Sequence, residues 1–338
     1  MTSEKIILHE DRAVTLTAYI QDNSPEYAKI EKRPAIIVLP GGGYSMCSDR
    51  EADCIAMAYL HAGFHAFVLR YTLKKKGGWP LPLNDYDETV ELIKSSQDKW
   101  HIDVNRIGVV GFSAGGHLAA VAATMAKNRP NVAILGYPAL KQDIIDACQG
   151  GMPYPAEHID NKTCPCFLFA CRDDNIVPID GMLDFQKELF AQGINFESHI
   201  YPYGGHGFAT GYANITDNKM CKHITDWIKD SVDFIGDVWG ELTNSGHTSP
   251  NMSRCVNGDN EEFLSIFCTY GHLLKNEKAC EVIAPVITVV KAYVAQANGS
   301  ALLDSLTKTF KVCDLLDMFG LSDKRDEFNQ RLNAIKNI

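Results

Sequence analysis

A serine flanked by glycines is the clearest candidate nucleophile in the chain. The segment GFSAG, residues 111–115, has the spacing G-x-S-x-G and lies between a predicted strand, 106–112, and a predicted helix, 114–126. Glycines at such a sharp turn let the strand and the helix approach closely, so that the serine hydroxyl projects at the edge of the sheet. The start of the helix behind it favours developing negative charge. We therefore predict Ser113 as a nucleophile.

A serine hydroxyl is a weak nucleophile and needs a base beside it. His206 lies in the segment YGGHGF, residues 203–208, directly after a predicted strand at 195–202. The flanking glycines allow an exposed loop to present the imidazole. His117 is one turn along the predicted helix after Ser113, and we expect it to pack there. His206 is therefore the predicted base.

The third member of such a triad is an acid that orients the histidine. Where the chain order is serine, acid, histidine, the acid follows a strand between the other two. The segment DDNIVP, residues 173–178, follows a predicted strand at 165–171. Either Asp173 or Asp174 fits this position. We favour Asp174 and leave Asp173 open.

A glycine-rich loop offers donors for an oxyanion. The segment PGGGY, residues 40–44, follows a predicted strand at 35–39, and its glycines let backbone N–H groups approach a substrate oxygen. The N–H of Ala114, the residue after the nucleophile, is a second donor. A phosphate-binding loop is the alternative, but the Lys-Ser/Thr pair of such a loop is absent. Three tyrosines are candidates to line the pocket: Tyr44, Tyr137 and Tyr154.

The candidate site residues are positioned by predicted strands and helices. After an opening strand or hairpin at 6–20, short apolar runs alternate with helical patterns. The predicted strands are 35–39, 65–72, 106–112, 131–137, 165–171 and 195–202. The predicted helices are 50–62, 84–98, 114–126, 180–192 and 218–235. This alternation is typical of parallel strands joined by crossover helices, so the fold class is α/β. Continuous apolar runs suit strands that are covered on both faces.

Composition excludes several classes of partner. The formal net charge of the 338 residues is -10, and an acidic chain without a basic stripe is a poor partner for nucleic acid. The first residues do not have the pattern of a signal peptide, and no run approaches the ~18 apolar residues of a membrane span. Eleven cysteines, scattered and odd in number, fit a reducing compartment, and their spacing does not favour a zinc site. We expect a soluble cytoplasmic protein without a metal.

The pattern changes after Gly240. Residues 241–260 are polar and rich in turn formers, which predicts a linker. Beyond it the sequence predicts four helices, at 261–275, 278–297, 300–318 and 322–336, with Pro285 kinking the second or marking its start. We therefore predict a catalytic domain over 1–240 and a helical unit over 261–338. Such a small unit buries little by itself, and homo-oligomerisation through its helices is one way to cover it.

Four segments together resemble one branch of a known family. In chain order they are LPGGGYSMCSDREAD, RIGVVGFSAGGHLAA, DDNIVP and YGGHGF. They are similar to the bacterial acetyl-xylan-esterase-like branch of the α/β-hydrolases, relatives of the hormone-sensitive-lipase carboxylesterases. The resemblance covers residues 5–236 and leaves the helical tail outside it.

The resemblance implies an α/β-hydrolase fold with a mostly parallel, eight-stranded sheet. It implies hydrolysis of short acyl esters, often acetyl groups on sugars, without a metal or organic cofactor. The residues that it implies are a triad of Ser113, Asp174 and His206 and an oxyanion hole around Gly42, Gly43 and Ala114. Two alternatives remain: a serine peptidase of the same fold, and a non-catalytic binding module that has kept the fold.

Overall fold

The computed structural model describes residues 1–22, 24–27, 29–252, 258–297 and 299–337. Its internal contacts divide the chain into two units, Met1–Arg254 and Cys255–Ile338. The candidate catalytic residues all belong to the first unit. Within the described ranges, no helix combines the length and the apolar character that crossing a membrane requires.

One eight-stranded sheet runs through the first unit in the order β1-β2-β4-β3-β5-β6-β7-β8. Strands β3 to β8 are parallel to one another, and β2 is antiparallel to β1 and β4. The strands are β1 (Thr2–His9), β2 (Val14–Ile20), β3 (Arg33–Leu39), β4 (His65–Arg70), β5 (Ile102–Phe112), β6 (Val132–Gly136), β7 (Cys166–Cys171) and β8 (Phe196–Tyr201). The predicted α/β class and the mostly parallel, eight-stranded sheet are confirmed.

Helices cover both faces of this sheet, and every residue of β3, β6 and β7 is buried. The helices of the first unit are α1 (Asp53–His61), α2 (Leu81–Ser95), α3 (Gln97–Trp100), α4 (Ala114–Met125), α5 (Gln142–Cys148), α6 (Asp180–Ala191) and α7 (Trp227–Trp239). Continuous apolar runs in the strands are therefore explained by burial on two sides.

The helix predicted at 218–235 was wrong at its start. A short 3-10 turn occupies Ile224–Asp226, and α7 begins only at Trp227. The amide of Asn218 donates to the carbonyls of Gly204 and His206, so this segment supports the histidine loop. Hydrogen bonds to that loop take the place of a helical turn.

The parallel strands bring the candidate residues to one edge. Strands β3, β5, β7 and β8 end just before the glycine loop, Ser113, the two aspartates and the histidine loop, respectively. The carboxyl ends of parallel strands lie at the same edge of a sheet, where ligands bind in open α/β folds. Four segments that are distant in sequence therefore meet at one place.

The predicted linker at 241–260 is partly structured. Leu242–Thr243 and Gly246–His247 pair as a short hairpin, β9 and β10. The backbone N–H groups of Asn251 and Met252 both donate to the carbonyl of Asp237 at the end of α7. Residues 241–252 therefore belong to the first unit, while 253–257 lie outside the described residues.

The second unit is helical, but its helices are shorter than predicted. Among the residues of this unit that the structure describes, six helices replace the four predicted ones: α8 (Tyr270–Leu273), α9 (Glu277–Val282), α10 (Ala284–Gln296), α11 (Ala301–Thr307), α12 (Val312–Met318) and α13 (Arg325–Leu332). The side chain of Thr269 caps a start inside the predicted helix 261–275, and those of Asn276 and Ser300 cap the starts of α9 and α11. Pro285 marks the start of α10 rather than a kink. The unit has its own apolar core, which includes Leu273, Val286, Leu316 and Phe328.

Candidate active site

Ser113 occupies the strained turn between β5 and α4. Its φ is 53° and its ψ is -118°, a conformation that non-glycine residues rarely adopt. The flanking glycines are required by space: a Cβ on Gly111 would lie 2.2 Å from the carbonyl oxygen of Gly115, and one on Gly115 would lie 2.1 Å from that of Leu39. The Ser113 N–H donates to the Gly136 carbonyl at 3.0 Å, which ties the elbow to the end of β6.

Ser113, His206 and Asp174 form one hydrogen-bonded line. The distance from His206 Nε2 to Ser113 Oγ is 2.9 Å, and that from Nδ1 to Asp174 Oδ2 is 2.6 Å. Because a carboxylate only accepts, Nδ1 carries the ring proton and Nε2 accepts from the serine hydroxyl. The side chain of Asp174 is fully buried and that of His206 is 12 % exposed. This arrangement can transfer a proton from the hydroxyl to the imidazole.

The two neighbouring aspartates hold different partners. Asp174 Oδ1 accepts the N–H groups of Ile176 and Val177, which leaves Oδ2 directed at His206. Asp173 Oδ1 accepts the N–H groups of Gly204 and Gly205, at 3.0 and 2.9 Å. The structure thus brings Asp174 to the imidazole and places Asp173 on the backbone that carries His206. Sequence reasoning had no role for Asp173 beyond that of an alternative acid.

The glycine loop passes directly beside the nucleophile. A Cβ on Gly41 would lie 2.9 Å from the Cβ of Ser113, and the next residues, Gly42 and Gly43, have φ of 131° and 58°. Within the part of the chain that the structure describes, the N–H groups of Gly42, Gly43 and Ala114 have no acceptor. Unpaired backbone donors beside a nucleophile are suited to binding the oxygen of an acyl group as it gains negative charge.

Tyr44, predicted to contact substrate, has a side chain that is only 1 % exposed. Its hydroxyl donates to His117 Nδ1 at 2.8 Å, while His117 Nε2–H donates to the carbonyl of Pro153 at 2.9 Å. Burial lowers the pKa of His117 to about 4, so the ring is neutral. We therefore propose that Tyr44 fastens the glycine loop to α4, and that its ring does not contact substrate. His117 packs within the fold, as its place on the helix predicted.

Tyr137 and Glu51 form a buried pair beside the triad. Tyr137 donates its hydroxyl to Glu51 Oε1 at 2.7 Å, and its ring lies 5.0 Å from that of His206, edge to face. Glu51 is 3 % exposed. Glu51 has no counterpart among the predicted site residues, although it lies within the segment SDREAD that carried the resemblance. Tyr154, the third tyrosine predicted at the pocket, is partly buried against the main core.

Comparison with known proteins places the chain among hydrolases. Residues 23–149 match the BD-FAE family, and residues 152–233 match the prolyl oligopeptidase family. The first match holds the glycine loop and the serine, and the second holds both aspartates and His206. The boundary between the two lies before β7.

Solved structures with the same fold include an α/β-hydrolase enzyme, MGS-M1, from a Medee basin deep-sea metagenome library. It is 38 % identical, covers 70 % of this chain and 98 % of its own, and has a TM-score of 0.65. A second is an acetyl ester-xyloside bifunctional hydrolase from Caldicellulosiruptor lactoaceticus, which is 30 % identical, with 67 % and 88 % of the two chains covered and a TM-score of 0.59.

Among curated relatives, an acetylxylan esterase of Xylanibacter ruminicola is 30 % identical over 217 residues, which are 58 % of this chain and 45 % of that protein. The chain spans less than half of the length of the first curated relatives that it matches. The fold and the similarity to MGS-M1 define the class: the chain belongs to the α/β-hydrolase family. Within that family it belongs to the acetyl-xylan-esterase-like branch.

Proposed function

We propose that this protein is a serine esterase that hydrolyses short-chain acyl esters. The observation that carries the proposal is the line from Ser113 Oγ through His206 to Asp174, with distances of 2.9 and 2.6 Å, beside unpaired backbone donors. A non-catalytic module would have no need for the strained φ of the serine or for a buried carboxylate behind the imidazole.

In the first half of the reaction, Ser113 Oγ attacks the carbonyl carbon of the ester while His206 Nε2 takes the hydroxyl proton. Negative charge moves to the carbonyl oxygen, where the N–H groups of Gly42, Gly43 and Ala114 stabilise it. As the tetrahedral intermediate collapses, Nε2 gives its proton to the leaving alcohol oxygen. The acyl group is then esterified to Ser113.

In the second half, water gives a proton to His206 Nε2 and attacks the carbonyl carbon of the acyl-enzyme. The intermediate collapses, Nε2 returns the proton to Ser113 Oγ, and the carboxylic acid leaves. Asp174 holds the imidazole with Nδ1–H facing the carboxylate and stabilises the imidazolium formed in each half. The chain itself supplies the nucleophile, the group that transfers protons and the donors to the oxyanion.

The substrate class that we propose is an acetylated carbohydrate. Support comes from relatives named as an acetylxylan esterase and an acetyl ester-xyloside hydrolase. A second support is the short connection between β6 and β7, which holds only α5 and a 3-10 turn at Pro155–His158. A connection of this size leaves little material for a lid over long acyl chains.

The experiment for the substrate class compares kcat/KM for acetyl, butyryl, octanoyl and palmitoyl p-nitrophenyl esters, followed by acetylated xylo-oligosaccharides. We expect a maximum at acetyl and release of acetate from the oligosaccharides. A maximum at octanoyl or beyond would contradict the proposal and favour a lipase.

A peptidase of the same fold is the second candidate, because residues 152–233 match the prolyl oligopeptidase family. That segment carries the acid and the base, which esterases and peptidases share, so the match does not select the bond that is cleaved. Aminoacyl p-nitroanilides assayed beside the esters separate the two functions. Faster cleavage of the anilides would favour the peptidase.

We further propose that the protein acts in the cytoplasm, since the cysteines of the described residues are free thiols, as a reducing compartment requires. We also propose that Cys255–Ile338 is a separate unit that supplies no triad residue. Homo-oligomerisation through its helices remains our proposal for how its remaining apolar surface is covered.

A further inference from the structure

We propose that Glu51 and Tyr137 are positioning residues that hold the oxyanion loop and the histidine loop at the separation that catalysis needs. The inference rests on the proposed esterase function and deepens it. It concerns a hydrogen-bonded chain with four members: the Gly41 N–H, the Glu51 carboxylate, the Tyr137 hydroxyl and the Ala209 N–H.

Glu51 is tied to the oxyanion loop. Its Oε2 accepts the Gly41 N–H at 2.8 Å, and the Gly41 carbonyl in turn accepts the Ser48 N–H at 2.9 Å. Both backbone groups of Gly41 are thus fixed, one residue before the donors Gly42 and Gly43. A change in the Glu51 carboxylate therefore alters the direction of these donors.

Tyr137 carries the connection to the histidine loop. Its hydroxyl donates to Glu51 Oε1 at 2.7 Å and accepts the Ala209 N–H at 3.0 Å. Ala209 lies three residues after His206 at a φ of 48°, and its carbonyl accepts the indole N–H of Trp227. Burial, and next the charge of Glu51, raise the pKa of Tyr137 well above its usual range, so the hydroxyl remains a donor.

The position of the pair is costly for folding. Burying a carboxylate at 3 % exposure requires that hydrogen bonds replace its water, and an apolar pair of similar volume is often no less stable. The four groups come from residues 41, 51, 137 and 209, so local turn chemistry does not explain their association. Precise placement of the oxyanion loop and the histidine loop explains why a carboxylate is buried here in spite of its cost in stability.

The decisive variant is Tyr137→Phe, because it keeps the ring that contacts His206 and removes only the hydroxyl. Glu51→Gln is the second variant: the Gly41 N–H and the Tyr137 hydroxyl donate to different oxygens of Glu51, and in glutamine one of these two atoms is an NH₂ group that cannot accept. The matched control is Tyr59→Phe. Tyr59 is also fully buried, and its hydroxyl donates to Ser231 Oγ at 2.9 Å, away from the triad.

The measurement is kcat and KM for p-nitrophenyl acetate, per active site titrated with a phosphonate, together with Tm for each variant. We expect kcat to fall about ten- to a hundredfold in Tyr137→Phe and Glu51→Gln, with KM within about twofold, because misplacement affects the transition state more than binding. The double variant is expected to be no slower than the slower single variant, since both break one chain.

Tyr59→Phe is expected to lower Tm while kcat is unchanged. If Tyr137→Phe lowers Tm as Tyr59→Phe does and retains the wild-type kcat, the positioning role is overturned and the pair is only structural. Ser113→Ala, measured in parallel, separates this failure from that of the proposed function. An active Ser113→Ala protein refutes the esterase mechanism itself, whatever the result for Tyr137.

Discussion

Replacing each of the two adjacent aspartates with asparagine is expected to give very different enzymes. Asp174 uses both oxygens: Oδ1 accepts two backbone N–H groups and Oδ2 accepts the Nδ1–H of His206. In Asp174→Asn, one of these donors must face an NH₂ group. If the NH₂ faces the ring, Nδ1 becomes the acceptor, Nε2 carries the proton, and the imidazole cannot take the proton of Ser113.

Asp173 uses a single oxygen, Oδ1, for the N–H groups of Gly204 and Gly205. The carbonyl oxygen of asparagine can accept the same two bonds, so Asp173→Asn retains the anchor of the loop. We expect kcat to fall about 10⁴-fold in Asp174→Asn, which is about 5 kcal/mol of transition-state stabilisation. For Asp173→Asn we expect less than about a tenfold loss, since neutral hydrogen bonds replace charge-assisted ones.

The assay is the steady-state hydrolysis of p-nitrophenyl acetate by both variants. Tm is measured for each variant to verify that both are folded at the assay temperature. Background hydrolysis is subtracted with Ser113→Ala protein, which lacks the nucleophile. A larger loss of kcat in Asp173→Asn than in Asp174→Asn would refute the assignment of the acid. Equal, small losses of kcat in the two variants would refute the conclusion that catalysis needs the proton on Nδ1 of His206.

Three further outcomes are expected. Burial lowers the pKa of both His65 and His117 to about 4, so the unfolded chain binds more protons than the folded chain between about pH 6.5 and 4. The contribution of the two neutral rings to the free energy of unfolding is therefore fully present above this window and is lost as the pH falls through it. Urea unfolding at pH 5 is expected to show a loss of about 2 kcal/mol per histidine relative to pH 7.5, and equal free energies at the two values would contradict the burial of neutral rings. Gly115→Ala is expected to lose soluble expression, because its Cβ would meet a backbone oxygen at 2.1 Å, whereas Gly150→Ala, with open space, is expected to express normally. A chain that ends at residue 254 is expected to keep kcat for p-nitrophenyl acetate, and a loss of activity in the folded truncated protein would contradict the independence of the tail.

The positions of the strands along the chain and the residues that follow them could be predicted from short-range patterns. Apolar runs such as 35–39 and 106–112 match β3 and β5 because strands covered on both faces need no alternation. The serine, the acid and the base follow such runs directly. Parallel topology then places the three residues at one edge of the sheet.

Contacts made across the fold could not be predicted in this way. Glu51 is buried because the Gly41 N–H and the hydroxyl of Tyr137, a residue 86 positions away, complete its hydrogen bonds. A tyrosine beside a glycine loop, such as Tyr44, has no sequence signal for whether its ring faces the pocket or His117. The tail was misjudged for a related reason: apolar residues recur with helical spacing across short helices, while a side-chain cap such as that of Thr269 begins a helix inside a predicted one.

The most direct test of the central claim is to label the nucleophile covalently and locate the label. The protein is incubated with an activated phosphonate ester, and the intact mass and a peptide map are recorded. We expect one adduct per chain on Ser113, with labelling lost in Ser113→Ala and slowed in His206→Ala because the base that activates the hydroxyl is gone. An adduct on another residue, or equal labelling of the Ser113→Ala protein, would contradict it.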